Sequence, residues 1–337
     1  MTSPTSGVTM ATIARAAGVV PSTVSKALRD DPTISPVRRR EIQRLARSLG
    51  YRPNPLVAAL MARLHSRRRR NDPHHLAWID LWPDDQEAAR TTDFKLMLRG
   101  ANQRANELGY QIEVHRVARD GMGAARLHEI LLSRCQWGVI IPPVPREAMD
   151  YHLDLEGLTG VTIGTSLHQP VMHRVASNLF QGCVLACRKL REHGFHRIGL
   201  ALSPAMNERV EEKWLGAYLA EQTKWLKRER LPPLLVTSDD EAAFFQWCAR
   251  LEPDVVLLAE AYIGGWIPRS RLPAARKPAV AWLRRIASMP ESTFAIDTRP
   301  DKMGAAAVEL VVAQIHRNER GSPQFPHTVL LDGVWCE

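Results

Sequence analysis

The chain has 337 residues, more than one hydrophobic core usually fills, so two or three folded units are expected. Hydrophobic residues at 45% and charged residues at 24% exclude a disordered or low-complexity chain. No apolar run approaches the ~20 residues of a membrane span. The early Pro4 and Gly7 do not make a basic-then-apolar leader, and five scattered cysteines argue against a disulfide framework, so a cytoplasmic location without membrane association is expected.

The net charge of +9 gathers at one end. Through Arg70, 14 basic residues stand against 3 acidic ones, whereas the other 267 residues carry 31 against 33. Positive charge concentrated on a small module attracts a polyanion, because neutralised phosphates release their counterions. Ala, Leu and Val at helical spacing indicate that this stretch folds.

The first predicted helix runs from about Met10 to Ala17, with Thr9 as its N-cap, an apolar stripe of Met10, Ile13, Ala14 and Ala17, and Gly18 as its stop. A second helix spans Pro21 to about Leu28, with Pro at the first helical position and Val24, Ala27 and Leu28 on one face. Two short helices joined by a tight turn form a helix-turn-helix, whose second helix presents its first residues to base edges in the major groove. Ser22 and Thr23 can bond bases or phosphates, and Lys26 can reach a guanine edge.

A third helix starts at Ser35-Pro36, with Val37, Ile42, Leu45, Ala46 and Leu49 inward, Arg38, Arg39, Arg40, Arg44 and Arg47 outward, and Gly50 as its end. Asn54 can cap a fourth helix beginning at Pro55 and running to Ala62. Isolated helices this short are marginal in water, so it forms only when supported. Arg63 and Arg67 to Arg70 then extend the basic run, as a solvated linker or as added phosphate contacts.

The residues Val8-Thr9-Met10, Ile13 to Val19, Thr23 to Leu28, Ile34-Ser35 and Leu49 to Asn54 resemble, at fixed spacing, the head of the LacI/GalR family of bacterial transcriptional regulators. The resemblance implies a double-stranded DNA operator read by a homodimer. It implies DNA contacts from Thr9, Met10, Pro21, Ser22, Thr23, Ser25, Lys26, Arg29, Ser35, Tyr51, Asn54, Val57, Ala58 and Leu60. Paired hinge helices would enter the minor groove with Leu60 as the wedge, and an apolar wedge kinks a duplex at a cost of roughly a few kcal/mol. Two positions depart from the family: Val20 stands where a Ser usually caps the second helix, and Pro21 where relatives present a base-reading side chain.

From Leu76 the pattern alternates. Strands are predicted at Leu76–Leu81, Tyr110–Val117, Trp137–Ile141, Val161–Gly164, Arg197–Leu202, Leu234–Val236, Val255–Ala259 and Val280–Leu283. Helices are predicted at Phe94–Leu108, Leu127–Leu132, Leu179–His193, Glu211–Glu221 and Lys302–Arg317. Repeated β-α units imply parallel sheets covered on both faces, with ligands beyond the carboxyl ends of the strands. No nucleotide-binding, P-loop, nucleophile-elbow or zincin motif is present, so neither catalysis, cofactor nor metal is expected. Glycines 121, 123, 264 and 265 read as turns, Cys183 and Cys187 as core thiols, and His74, His75, His193, His196 and His316 as surface or capping residues.

This half is similar, less tightly, to the same family's effector domain, through Gly100…Ala105 to Tyr110, Val175…Asn178…Gly182…Leu190…His193 to Gly199, Gly304…Ala307-Val308, and Gly321-Ser322-Pro323 with Leu331…Gly333-Val334-Trp335. The fold class implied is an N-terminal all-α helix-turn-helix domain plus an α/β two-lobed domain with parallel sheets, like a periplasmic binding protein. Its parts are a DNA-binding domain at 1–53, a hinge helix and basic linker at 54–73, and an effector and dimerisation domain at 74–337. The lobes are approximately 74–166 plus 295–320, and 167–294 plus 321–337. A small-molecule effector such as a carbohydrate is implied, with Trp82 stacking on it and Arg209, Lys213 and Glu260 binding its polar groups; packing or surface charge fits each of these side chains too. Glu260-Ala261 replaces the family's usual Asn-Asp pair, and Leu283-Arg284-Arg285 its usual Asp. The function read from these residues is a regulator, a repressor by family habit, modulated by effector. An effector-independent regulator and a solute-binding protein are the alternatives.

Overall fold

The chain divides into residues 1–73 with 314–319, and residues 74–313 with 320–337. The structure, a computed structural model, describes residues 10–28, 34–49, 74–83, 92–118, 120–269, 277–285 and 293–337, with 273 and 289 singly. The hinge helix and basic linker expected at 54–73 lie outside the described residues, as do Thr9, Arg29, Tyr51, Asn54, Val57, Ala58 and Leu60.

In the first unit, α1 (Met10–Ala17), α2 (Pro21–Leu28) and α3 (Pro36–Ser48) pack on one another. Each helix is too short to stand alone, so the buried Ile13, Ala14, Val24, Ala27, Ile42 and Ala46 supply the stability that propensity does not. Gly18 takes φ +63° in the turn after α1, a conformation that costs glycine little. Gln43 Nε2 donates to Ala27 O at 2.9 Å and Arg38 Nη2 to Ala17 O at 2.6 Å, tying α3 to the ends of the other two helices. Val37, expected inward, is 73% exposed: it lies in the first turn of α3, beyond the reach of the small core.

The second unit holds two six-stranded sheets. The first is ordered β11-β5-β4-β3-β1-β2, all parallel, from β1 (His74–Asp80), β2 (Tyr110–Arg116), β3 (Gly138–Ile141), β4 (Thr159–Ile163), β5 (His173–Ser177) and β11 (Thr328–Leu331). The second is ordered β12-β10-β9-β8-β6-β7, from β6 (Ile198–Leu202), β7 (Leu234–Leu235), β8 (Val255–Leu258), β9 (Ala279–Trp282), β10 (Ala295–Asp297) and β12 (Val334–Cys336). Only the β10–β12 pair of that sheet is antiparallel. Fully buried central strands such as β3, β6 and β8 read as unbroken apolar runs because both faces are covered.

Helices α4 (Thr92–Glu107) and α5 (Ala124–Ser133) accompany the first sheet. The second carries α6 (Leu179–Glu192), α7 (Pro204–Arg209), α8 (Lys213–Gln222), α9 (Glu241–Leu251) and α10 (Ala261–Arg269). Its two faces bury separate clusters, one around Trp214 and Tyr218, the other around Phe244, Trp247 and Trp266. Helix α11 (Pro300–Arg317) follows β10. Cys183 and Cys187 lie fully buried on α6, and His193 sits at that helix's C-cap.

The chain passes between the sheets three times: after β5, after β10, and between β11 and β12. Lobe boundaries therefore fall near residues 178, 298 and 332, not at 166, 294 and 320 as the sequence suggested. Strands β5 and β11 belong to the first sheet and β10 to the second. Gly264 and Gly265, expected as turns, lie inside α10, where a Cβ on Gly264 would come within 2.7 Å of the Trp282 ring. Glycine there admits close helix-to-sheet packing.

Candidate functional site

The head presents its polar residues on the side away from its core. Pro21, Ser22 and Lys26 of α2 are exposed, and Thr23 and Ser25 are half-buried beside the inward Val24 and Ala27. Met10 is half-buried at the start of α1. Val20 holds the cap position of α2 with its carbonyl, which accepts from Thr23 N at 2.9 Å, while its side chain is 60% exposed and offers no acceptor. Ser35 is the N-cap of α3, its hydroxyl accepting from Arg38 N at 3.4 Å.

In the larger unit Trp82 and Glu260 sit in loops at the carboxyl ends of β1 and β8, where such sheets bind ligands, while Arg209 ends α7 and Lys213 begins α8. Four contacts join the segments that follow the strands of the two sheets. Arg209 Nη2 donates to Val144 O at 2.9 Å, and Thr165 Oγ1 donates to Arg209 O at 3.0 Å. Arg284 Nη1 lies 3.6 Å from Asp93 Oδ2, and Arg146 Nη2 lies 3.5 Å from Glu208 Oε2. The strand ends of the two sheets therefore face one another across a cleft.

Each sequence candidate has a definite environment there. Trp82, two residues past β1, donates its indole N–H to Pro143 O at 2.8 Å. Glu260, two residues past β8, accepts from Ser203 N at 3.0 Å with Oε1, while its buried Oε2 has no partner. Burial raises the Glu260 pKa, opposed by the Ser203 bonds and by Arg284. Lys213, the first residue of α8, pairs with Glu211 at 2.5 Å.

Arg284 and Asp93 were absent from the sequence candidates. Arg284 charges reach Asp93, Glu260 and Arg209 alike, and its Nε is buried without a partner. Burial raises Asp93, Arg284 opposes this, and Asp297 adds to it. The available signal was position: Arg284 directly follows the predicted strand Val280–Leu283 and stands two residues past the observed β9, where the strand-end rule looks for ligand contacts.

Residues 9–54 match the family model described as bacterial regulatory proteins, lacI family. That match lies in the N-terminal module alone. The transcriptional regulator MalR of Streptococcus pneumoniae is 32% identical over 108 residues, which cover 32% of this chain and 30% of MalR, so the match spans under a third of that relative. Among solved structures, a CelR–cellobiose complex is 19% identical with a TM-score of 0.53 over 97% of this chain and 98% of its own. The lac repressor dimer bound to operator and the anti-inducer ONPF is 16% identical, with a TM-score of 0.53 and 98% coverage of each chain. A LacI-family regulatory protein from Chloroflexus aggregans gives 14% identity and a TM-score of 0.56, over 78% of this chain and 96% of that one. At these identities the likeness establishes the fold: a lacI-type helical head joined to a two-sheet α/β unit of the kind those regulators share. Among the described residues no helix is long and apolar enough to cross a membrane.

Proposed function

We propose that the protein is a sequence-specific DNA-binding transcriptional regulator, a repressor that reads a palindromic operator as a homodimer and is modulated by a small molecule in the cleft. The observation that carries this reading is the exposed polar face of α2 on a compact three-helix core, within the segment that matches the lacI family. One such head buries little surface, whereas two on a two-fold axis read half-sites about one helical turn apart. Pro21, Ser22, Thr23, Ser25 and Lys26 supply the groove contacts, assisted by Thr9, Met10, Arg29 and Ser35. Tyr51, Asn54, Val57, Ala58 and Leu60 serve the hinge. The effector acts by binding two arrangements of the sheets unequally, which is the requirement for linkage between the two sites.

The test is selection of duplexes from a random pool by the full chain, followed by gel shift of the winners over a range of salt. A palindromic consensus bound by two chains, with affinity falling steeply as salt rises, is the expected result. Indifference to every duplex, one chain per site, or salt-insensitive binding overturns the proposal.

A further inference from the structure

Two arginines at the facing strand ends lack a close carboxylate partner. Arg209 is half-buried, donates to the Val144 carbonyl, and pairs with no carboxylate among the described residues. Burial and then the neighbouring Arg284 charge depress its pKa, so the guanidinium is held against its own preference. Arg284 meets Asp93 only loosely, at 3.6 Å, well beyond a charge-assisted hydrogen bond, and its Nε is buried with no acceptor.

The facing carboxyls do not satisfy these donors. Asp93 stays 3.6 Å from Arg284, and Glu260 uses Oε1 for Ser203 N. A guanidinium stays charged in a protein, so its unmet N–H groups ask for oxygen acceptors carrying negative charge. The buried Oε2 of Glu260 is an acceptor without a partner, which a ligand hydroxyl would satisfy.

We infer that the cleft takes a small hydroxylated anion, its carboxylate or phosphate oxygens held between Arg209 and Arg284 and a hydroxyl placed against Glu260. This deepens the regulator reading of the same cleft and rests on it. The guanidinium fork matches carboxylate and phosphate geometry bidentately, so specificity lies in oxyanion shape as well as charge.

The experiment titrates the full chain calorimetrically with D-gluconate, D-glucose 6-phosphate and neutral D-glucose, and repeats each titration with Arg284→Gln and Arg284→Lys. One or both anions are expected to bind and glucose is not; which anion binds separates a carboxylate from a phosphate ligand. Arg284→Gln weakens anion binding about tenfold or more, with circular dichroism unchanged, and Arg284→Lys lies between. Glucose binding as tightly as either anion, neither anion binding, or unchanged affinity in Arg284→Gln overturns the inference. Gel shift on the same preparations separates the two readings: operator binding with no anion response removes this inference alone, and loss of operator binding in the parent chain removes the regulator reading.

Discussion

At the scale of single residues, two side chains carry consequences that can be measured. Val20 occupies the cap position of α2 without an acceptor, leaving the first amides of the helix short of one partner. Val20→Ser supplies that acceptor, and because the valine is already exposed, little packing is lost. A gain of about 1 kcal/mol is expected in the urea or thermal unfolding of the head; an unchanged or lowered midpoint contradicts the capping argument. Glu260 is the second case. Its folded pKa is raised above the ordinary value near 4.5, so the folded state binds its proton more tightly than the unfolded chain does. Its contribution to stability is complete below about pH 4.5 and is lost as pH rises through the higher folded value. Glu260→Gln keeps an acceptor for Ser203 N and removes the titration, so stability between about pH 4.5 and neutrality falls less steeply than in the parent. Parallel stability–pH curves for the two chains would show that the buried carboxyl is not the titrating group.

At the scale of elements, the crossing of α4 and α11 depends on two glycines. A Cβ on Gly304 would sit 1.9 Å from Met97 O, and one on Gly100 1.9 Å from Asp301 O, so the two backbones touch. Gly304→Ala gains about 1 kcal/mol of helix propensity. Overpacking costs typically about 1–3 kcal/mol, and a rigid backbone oxygen leaves nothing to yield. The steric cost prevails, and a net loss in chemical denaturation is expected; a more stable variant would mean that the helices separate freely. Elements with strong periodicity or clear punctuation were legible in the sequence: α1 to α3, α6, the buried strands β3, β6 and β8, and the parallel-sheet architecture they imply. Helix α9 was legible in principle, since Asp240 caps it and Phe244, Trp247, Cys248 and Leu251 recur at helical spacing. Helix α10 was hidden by Gly264, Gly265 and Pro268, residues that normally break a helix but serve here as close packing and an end. Strands β10, β11 and β12 have three or four residues each, and β11 is mostly exposed, so no local pattern marks them. The same limit applies to the cleft: Arg209 and Glu260 were candidates through the family resemblance, whereas Arg284 and Asp93 meet only because distant segments fold together.

At the scale of the whole α/β unit, any change in the spacing of the two sheets must bend the three crossovers. These are stitched to one another. Asn178 N donates to Leu331 O at 2.7 Å, Asn178 Nδ2 to Asp332 Oδ1 at 2.8 Å, and a Cβ on Gly333 would meet Ile296 Cγ2 at 2.5 Å. Asn178 also caps α6, its Oδ1 accepting from Gln181 N at 3.4 Å. One side chain thus ties the first crossover to the third and anchors the helix that begins the second lobe. Asn178→Ala removes both roles and should lower stability by about 1–2 kcal/mol. Asn178→Ser restores a capping oxygen but is too short to reproduce the amide bond to Asp332, so it should recover the cap share alone. The two roles separate in hydrogen exchange: amides at 331–334 lose protection in both variants, whereas those in the first turn of α6 lose it only in Asn178→Ala. Equal protection at 331–334 in all three chains would mean that the crossovers are held by their backbone bonds, and that opening of the lobes is set elsewhere.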